Sequence, residues 1–66
     1  MINLNNKTAI ITGATRGIGK QISISLAKAG CDLYLLSRST KDLNKIKLEI
    51  LNQYDIKIKT FDLDIS

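Results

Sequence analysis

The 66-residue sequence has no histidine, one cysteine, three aromatic residues and only two arginines. With no histidine, no imidazole is present to activate a serine, so Ser23 and Ser25 read as surface or helix-packing residues, not nucleophiles. Cys31 has no second cysteine for an internal disulfide, which agrees with a reducing compartment, and no partner with which to hold a metal. It reads as a small buried residue. No apolar run exceeds four residues (33–36), so the sequence shows neither a membrane-spanning stretch nor the core of a secretion signal. A cytoplasmic location is the expectation. The net charge of +4 raises nucleic-acid binding, but the eight lysines are scattered and few aromatics are available to stack bases. A solvated lysine surface accounts for the charge. A chain of this length makes at most one small domain, at a size where core burial is marginal.

What the sequence does contain is concentrated in residues 12–19, Thr-Gly-Ala-Thr-Arg-Gly-Ile-Gly, which hold three of its four glycines. Before them, Thr8, Ala9, Ile10 and Ile11 form a short apolar, β-branched run suited to a buried strand. After them, Ile18, Ile22 and Leu26 recur every fourth residue, as along one face of a helix. A strand, a glycine-rich turn and a helix form the phosphate-holding corner of a nucleotide-binding α/β fold. Glycine permits the tight turn and lets backbone N–H groups approach a pyrophosphate, to which the helix N-terminus adds unpaired N–H groups and a positive dipole end. Thr15 is placed to cap this helix, or to turn its hydroxyl toward a phosphate.

Spacing separates the candidate motifs. A Walker A loop has four residues between its first glycine and Gly-Lys-Ser/Thr, whereas five separate Gly13 from Gly19, and Gln21 follows Lys20. The order G-x-x-x-G-x-G also differs from the common dinucleotide fingerprint G-x-G-x-x-G. The octet instead resembles the short-chain dehydrogenase/reductase family, whose motif T-G-x-x-x-G-I-G it matches at every fixed position; the family's extended form, T-G-x-x-G-x-x-G, does not fit. The resemblance implies that Gly13, Ala14, Thr15, Arg16, Gly17, Ile18 and Gly19 hold a nicotinamide dinucleotide.

The remaining chain reads as an alternation of strands and helices. Residues 7–12 are the first strand, with Leu4 available to tuck beneath it. A first helix over about 17–29 stops at Gly30, a natural left-handed C-cap. Residues 32–37 are a second strand, apolar on both faces as a central parallel strand is. A second helix over about 40–54, capped by Ser39 or Thr40, places Leu43, Ile46, Ile50, Leu51 and Tyr54 at helical spacing. A third strand begins near Ile56; its apolar phase shifts after Thr60, with Phe61, Leu63 and Ile65 continuing the apolar face.

The order β-α-β-α-β is one half of a Rossmann fold, an α/β architecture with parallel strand order 3-2-1. Right-handed crossovers proceeding in one direction put both helices on the same face of the sheet. Strands one and two are nevertheless apolar on both faces. The expectation is therefore that residues 1–66 are the N-terminal half of a larger NAD(P)-binding domain.

The place where an acid usually binds the adenosine ribose of NAD, the end of strand two, reads Leu36-Ser37-Arg38-Ser39 and lacks a carboxylate. An arginine there can pair bidentately with a ribose 2′-phosphate. Arg16 resembles the family's basic residue that closes on the same phosphate, and Ser37 and Ser39 can add hydroxyl donors. Both arginines of the chain lie at these positions, which favours NADP, with NAD as the alternative. The resemblance also places an Asp followed by an aliphatic residue at the adenine amino group. Asp64 and Ile65 fit that pattern, with Asp62 in a second register.

In the family, catalysis rests on a downstream Tyr-x-x-x-Lys pair with a Ser and an Asn. Here Arg38 stands four residues after Tyr34 and Ile58 four after Tyr54, and no Asn-Asn-Ala-Gly stretch occurs. No catalytic residue is assigned. The resemblance implies an oxidoreductase moving a hydride between NADP(H) and a carbonyl or alcohol, with 3-oxoacyl reduction a frequent role and a homo-oligomeric full-length form; neither nucleic acid nor membrane is an expected partner. Alone, the 66 residues are expected to be catalytically inert. A free-standing nucleotide-binding module and a non-functional remnant stay open as alternatives.

Overall fold

The computed structural model describes residues 3–62. In chain order the elements are β1 (Thr8–Thr12), α1 (Gly17–Lys28), β2 (Asp32–Ser37), α2 (Thr40–Leu51) and β3 (Ile58–Asp62). The three strands form one parallel sheet in the order β1-β2-β3, which is the order 3-2-1 read from the other edge. Ile11 lies opposite Leu35 and Leu33 opposite Ile58, so these residues share one sheet face. Leu33 and Leu35 are fully buried on it, and Ile11 and Ile58 beside them are largely buried. Leu43, Ile46 and Ile50 of α2 and Ala27 of α1 complete the core beneath both helices. Leu4 packs against this cluster and donates its N–H to the Ala29 carbonyl at 2.9 Å, which fastens the segment before β1 to the end of α1.

The opposite sheet face carries Ile10, Tyr34, Leu36 and Phe61. Ile10 is 68% exposed and Phe61 42%, with the Tyr34 and Phe61 rings 5.6 Å apart between centroids. Both helices thus cover one face, as right-handed crossovers dictate. The apolar pattern of β2 on its second side is real, and no described element packs over it.

Helix α1 departs from its hydropathy pattern. Ile18 is 78% exposed and Ile22 is also exposed, while Ser23 and Ala27 are buried. Gly19, Ser23 and Ala27, spaced by four, form the inward face. A Cβ on Gly19 would fall on the Gly13 carbonyl oxygen and lie 2.9 Å from its carbon. That approach holds α1 too close to the loop and sheet for large side chains on its inner stripe. The buried Ser23 hydroxyl is satisfied by donating to the Gly19 carbonyl at 2.8 Å, one turn back.

The helix ends also differ in detail from the pattern. The N-cap of α1 is Arg16, not Thr15, and no side chain caps it. Gly30 follows the C-cap Ala29 with φ +89°, the left-handed conformation anticipated there. Helix α2 stops at Leu51 rather than at residue 54, and its first turn is capped by Ser39, whose hydroxyl accepts from the Asp42 N–H at 3.2 Å. Tyr54 still reaches the core from the connection, but Leu51 is exposed. Strand β3 begins at Ile58, two residues later than its pattern suggested, because Ile56 packs on the core from the turn before it. Leu63 and Ile65 lie outside the described residues.

Ala27→Leu should destabilise the protein by about 1–3 kcal/mol through overpacking against the sheet. Ile22→Ala, on the exposed side of the same helix, should cost under about 1 kcal/mol. Urea unfolding of the two variants separates this face assignment from one that buries Ile22.

Candidate functional site

The C-terminal ends of β1 and β2 and the start of α1 enclose a cavity of about 470 Å³. Its lining is Thr12, Gly13, Thr15 and Arg16 from the glycine loop, Leu36, Ser37, Arg38 and Ser39 from the end of β2, and Asp42 from the first turn of α2. A smaller hollow of about 150 Å³ adjoins it between the helices, sharing Thr15, Arg16 and Asp42 and adding Lys20, Lys45, Ile46 and Glu49. The position outside the carboxyl ends of parallel strands is where open α/β sheets bind ligands.

Gly13 turns the chain out of β1 with φ +63°, a left-handed conformation that a Cβ would strain, and nothing lies within 4 Å of where its Cβ would be. Its N–H, together with that of Ala14, donates to the Leu36 carbonyl, at 3.0 and 3.5 Å, which ties the loop to the end of β2. Ala14 is completely buried, so of the motif residues it anchors the loop instead of facing the cavity. Ile18 points its side chain to the outside and can contribute only backbone to a ligand in the cavity. Thr15 Oγ1 lies 3.4 Å from Ser37 Oγ, and Ser37 Oγ in turn accepts the Ser39 N–H at 3.3 Å. The loop and the turn after β2 are thus held together by hydroxyls that face the same cavity.

The helix start is open to an anion. The first helical hydrogen bond runs from the Lys20 N–H to the Arg16 carbonyl at 3.3 Å, leaving the N–H groups of Gly17, Ile18 and Gly19 before it. No side chain caps them and the first turn contains no acid. An N-terminus with these properties suits a phosphate through its free donors and its dipole.

Both arginines border the cavity, Arg16 from the glycine loop and Arg38 from the turn after β2, and both are exposed. The ion pair found among the described residues is instead Lys20–Glu49 at 3.5 Å, between well-exposed groups that contribute little to stability. Asp42 and Ser39 enter the lining as well. Asp42 was not apparent as a site residue, yet it follows the Ser39 cap by three, and that spacing alone sets it on the first turn beside the strand ends. Asp64 and Ile65 lie outside the described residues. Asp62 accepts a hydrogen bond from the Thr40 hydroxyl at 2.6 Å, which joins the end of β3 to the start of α2.

Cys31 lies away from the cavity, buried beside β2. Desolvation, and secondarily the neighbouring Asp32 charge, push its thiol above the ordinary range, so it stays protonated and inert. Among the described residues there is no cluster of metal-binding side chains and no helix long and apolar enough to cross a membrane.

The cavity fits a dinucleotide on three counts. The loop has no Cβ at Gly13, the helix donors are uncapped, and both arginines of the chain line the cavity.

Comparison with known proteins agrees with this geometry. The profile of the short chain dehydrogenase family matches residues 7–66. Among curated relatives, the very-long-chain 3-oxoacyl-CoA reductase of Vanderwaltozyma polyspora is 36% identical over 62 residues, covering 94% of this chain and 18% of the relative. The enzyme of the same name from Laccaria bicolor is 40% identical over 58 residues, 88% of this chain and 17% of the relative. The chain therefore spans less than a fifth of the length of these relatives. Among solved structures, the L-sorbose reductase of Gluconobacter frateurii complexed with NADPH and L-sorbose superposes with a TM-score of 0.89 at 26% identity, over 94% of this chain and 24% of that one. A bulky-bulky ketone specific alcohol dehydrogenase of Comamonas testosteroni gives 0.86 at 27% identity, over 96% and 25%.

Gly19→Ala should shift the loop or the helix, because the added methyl falls on backbone atoms that cannot rotate away. Nucleotide affinity should fall at least about tenfold, with a stability loss of about 1–3 kcal/mol. Equilibrium dialysis with labelled nucleotide, beside thermal melting, reads both; unchanged binding would show that the loop does not form the site.

Proposed function

The chain belongs to the short-chain dehydrogenase family, and on that premise we propose that it is the cofactor-binding part of an NADP-dependent oxidoreductase acting on a carbonyl or alcohol. The observation that carries the NADP assignment is the cavity itself, whose lining includes Arg16 from the glycine loop and Ser37, Arg38 and Ser39 from the end of β2. Two planar guanidinium groups and two hydroxyls suit a ribose 2′-phosphate. The N–H groups of Gly17, Ile18 and Gly19 at the start of α1 would hold the pyrophosphate, with Gly13 leaving its approach clear of a side chain and Thr15 adding a hydroxyl. Asp64 and Ile65 are assigned to the adenine by the motif alone.

When bound, NADPH would supply a hydride to an oxidised carbon. This chain's residues contribute the binding and orientation of that cofactor. A proton for the substrate oxygen would come from elsewhere in a longer protein, since neither tyrosine here is followed four residues on by lysine. The open sheet face and the short span relative to the relatives support such a longer protein. The relatives' names favour a 3-oxoacyl thioester as substrate class.

Arg38→Leu should weaken NADPH binding about 10- to 100-fold, the loss of one charge-assisted hydrogen-bonding group, and leave NADH within about threefold. Nicotinamide fluorescence titration measures both. An equal loss for the two cofactors would overturn the 2′-phosphate assignment.

A further inference from the structure

Among the charged residues lining the cavity, Asp42 is the one for which NADP binding provides no task. Its backbone has a structural role, since the Asp42 N–H donates to the Ser39 cap at 3.2 Å. Its carboxylate does not take the usual reciprocal bond. At an S-x-x-D helix start the third residue commonly reaches back to the cap residue's N–H. Here that N–H is already donated to Ser37 Oγ at 3.3 Å. Among the described residues no hydrogen bond or ion pair engages the Asp42 carboxylate. The side chain is half-buried and lines both hollows, with Arg16 and Arg38 in the larger and Arg16 and Lys45 in the smaller.

We propose that Asp42 sets the cofactor preference of this site: its carboxylate opposes a ribose 2′-phosphate and accepts a hydrogen bond from a free ribose hydroxyl, so that NAD is admitted beside NADP. This rests on the assignment of the cavity to the adenosine ribose. The sequence lacks an acid at the end of β2, and the fold returns one to the same cavity from the first turn of α2. Arg16 and Arg38 bring two positive charges, and Asp42 cancels part of that field. It also offsets the positive end of the α2 dipole, which would otherwise favour the phosphate. A ribose diol is neutral and meets no such opposition. Across several ångströms in a partly solvated cleft, one such charge alters phosphate affinity by about five- to tenfold.

The test uses 2′,5′-ADP and 5′-AMP, which differ only in the 2′-phosphate and need no turnover. Calorimetric titration is done on the protein as its native gene encodes it, as wild type, Asp42→Asn, Asp42→Ser and Asp42→Glu. Asn and Ser each remove the charge while keeping a polar group on the first helical turn, so the test does not depend on one variant folding. Asp42→Asn and Asp42→Ser should tighten 2′,5′-ADP about five- to tenfold while 5′-AMP stays level or weakens, and Asp42→Glu should keep the wild-type ratio within about twofold. A purely structural Asp42 would move both ligands together, and an unchanged ratio in the neutral variants overturns the proposal. The cofactor assignment fails separately, if wild type binds 2′,5′-ADP no tighter than 5′-AMP; the shift in ratio on removing the charge still decides the role of Asp42. Binding of neither ligand overturns both.

Discussion

The close approach of α1 to the turn that follows β1 governs the geometry of this molecule. Position 19 has no room for a Cβ beside the Gly13 carbonyl, and the helix it begins lies correspondingly near the sheet. The inner stripe must then be small along its length, which is why Gly19, Ser23 and Ala27 occupy it and the larger Ile18 and Ile22 face outward. The same approach brings the uncapped N–H groups of Gly17, Ile18 and Gly19 to the carboxyl edge of the strands. The small-residue packing and the placement of these uncapped donors are two consequences of one short backbone distance.

The two helix starts at this edge are built differently. The first has an arginine at its cap, no acid in its first turn and no side-chain hydrogen bond. The second is closed by Ser39 and carries Asp42 in its first turn. An anion is welcome at one and opposed at the other. Between them the hydroxyls of Thr15 and Ser37 and the N–H of Ser39 join the loop to the turn after β2, so both arginines are presented from one hydrogen-bonded frame. The Thr40–Asp62 hydrogen bond extends that frame to β3.

Much of the fold was legible in the sequence because its signals are local. The glycine octet, the doubly apolar β2, a cap at Ser39 or Thr40 and the left-handed Gly30 each follow from a few adjacent residues, and together they lead to the element order and the 3-2-1 sheet. The inner face of α1 was not legible in this way. Hydropathy selects Ile18 and Ile22, whereas the contact is decided by how closely two backbones pass, and small residues carry no hydropathic signal. The cap residue of α1 was displaced for a related reason: Thr15 is still in the turn, one residue short of the cap. At the site, Arg16 and Arg38 were found through a motif and a position, but Asp42 required the fold, since only the return of α2 to the strand ends brings it into the same cavity.

That this cavity holds an NADP-type dinucleotide, pyrophosphate on the glycine loop and 2′-phosphate near the arginines, is tested most directly by backbone amide spectra recorded during titration with NADPH. The largest shifts should fall on the amides of Gly13, Thr15, Arg16, Gly17, Ile18 and Gly19 and on those of Ser37, Arg38 and Ser39. The amides of Ile10, Tyr34 and Phe61, on the open sheet face, should change far less. Shifts concentrated on that open face, or a glycine loop that does not respond, would contradict the assignment.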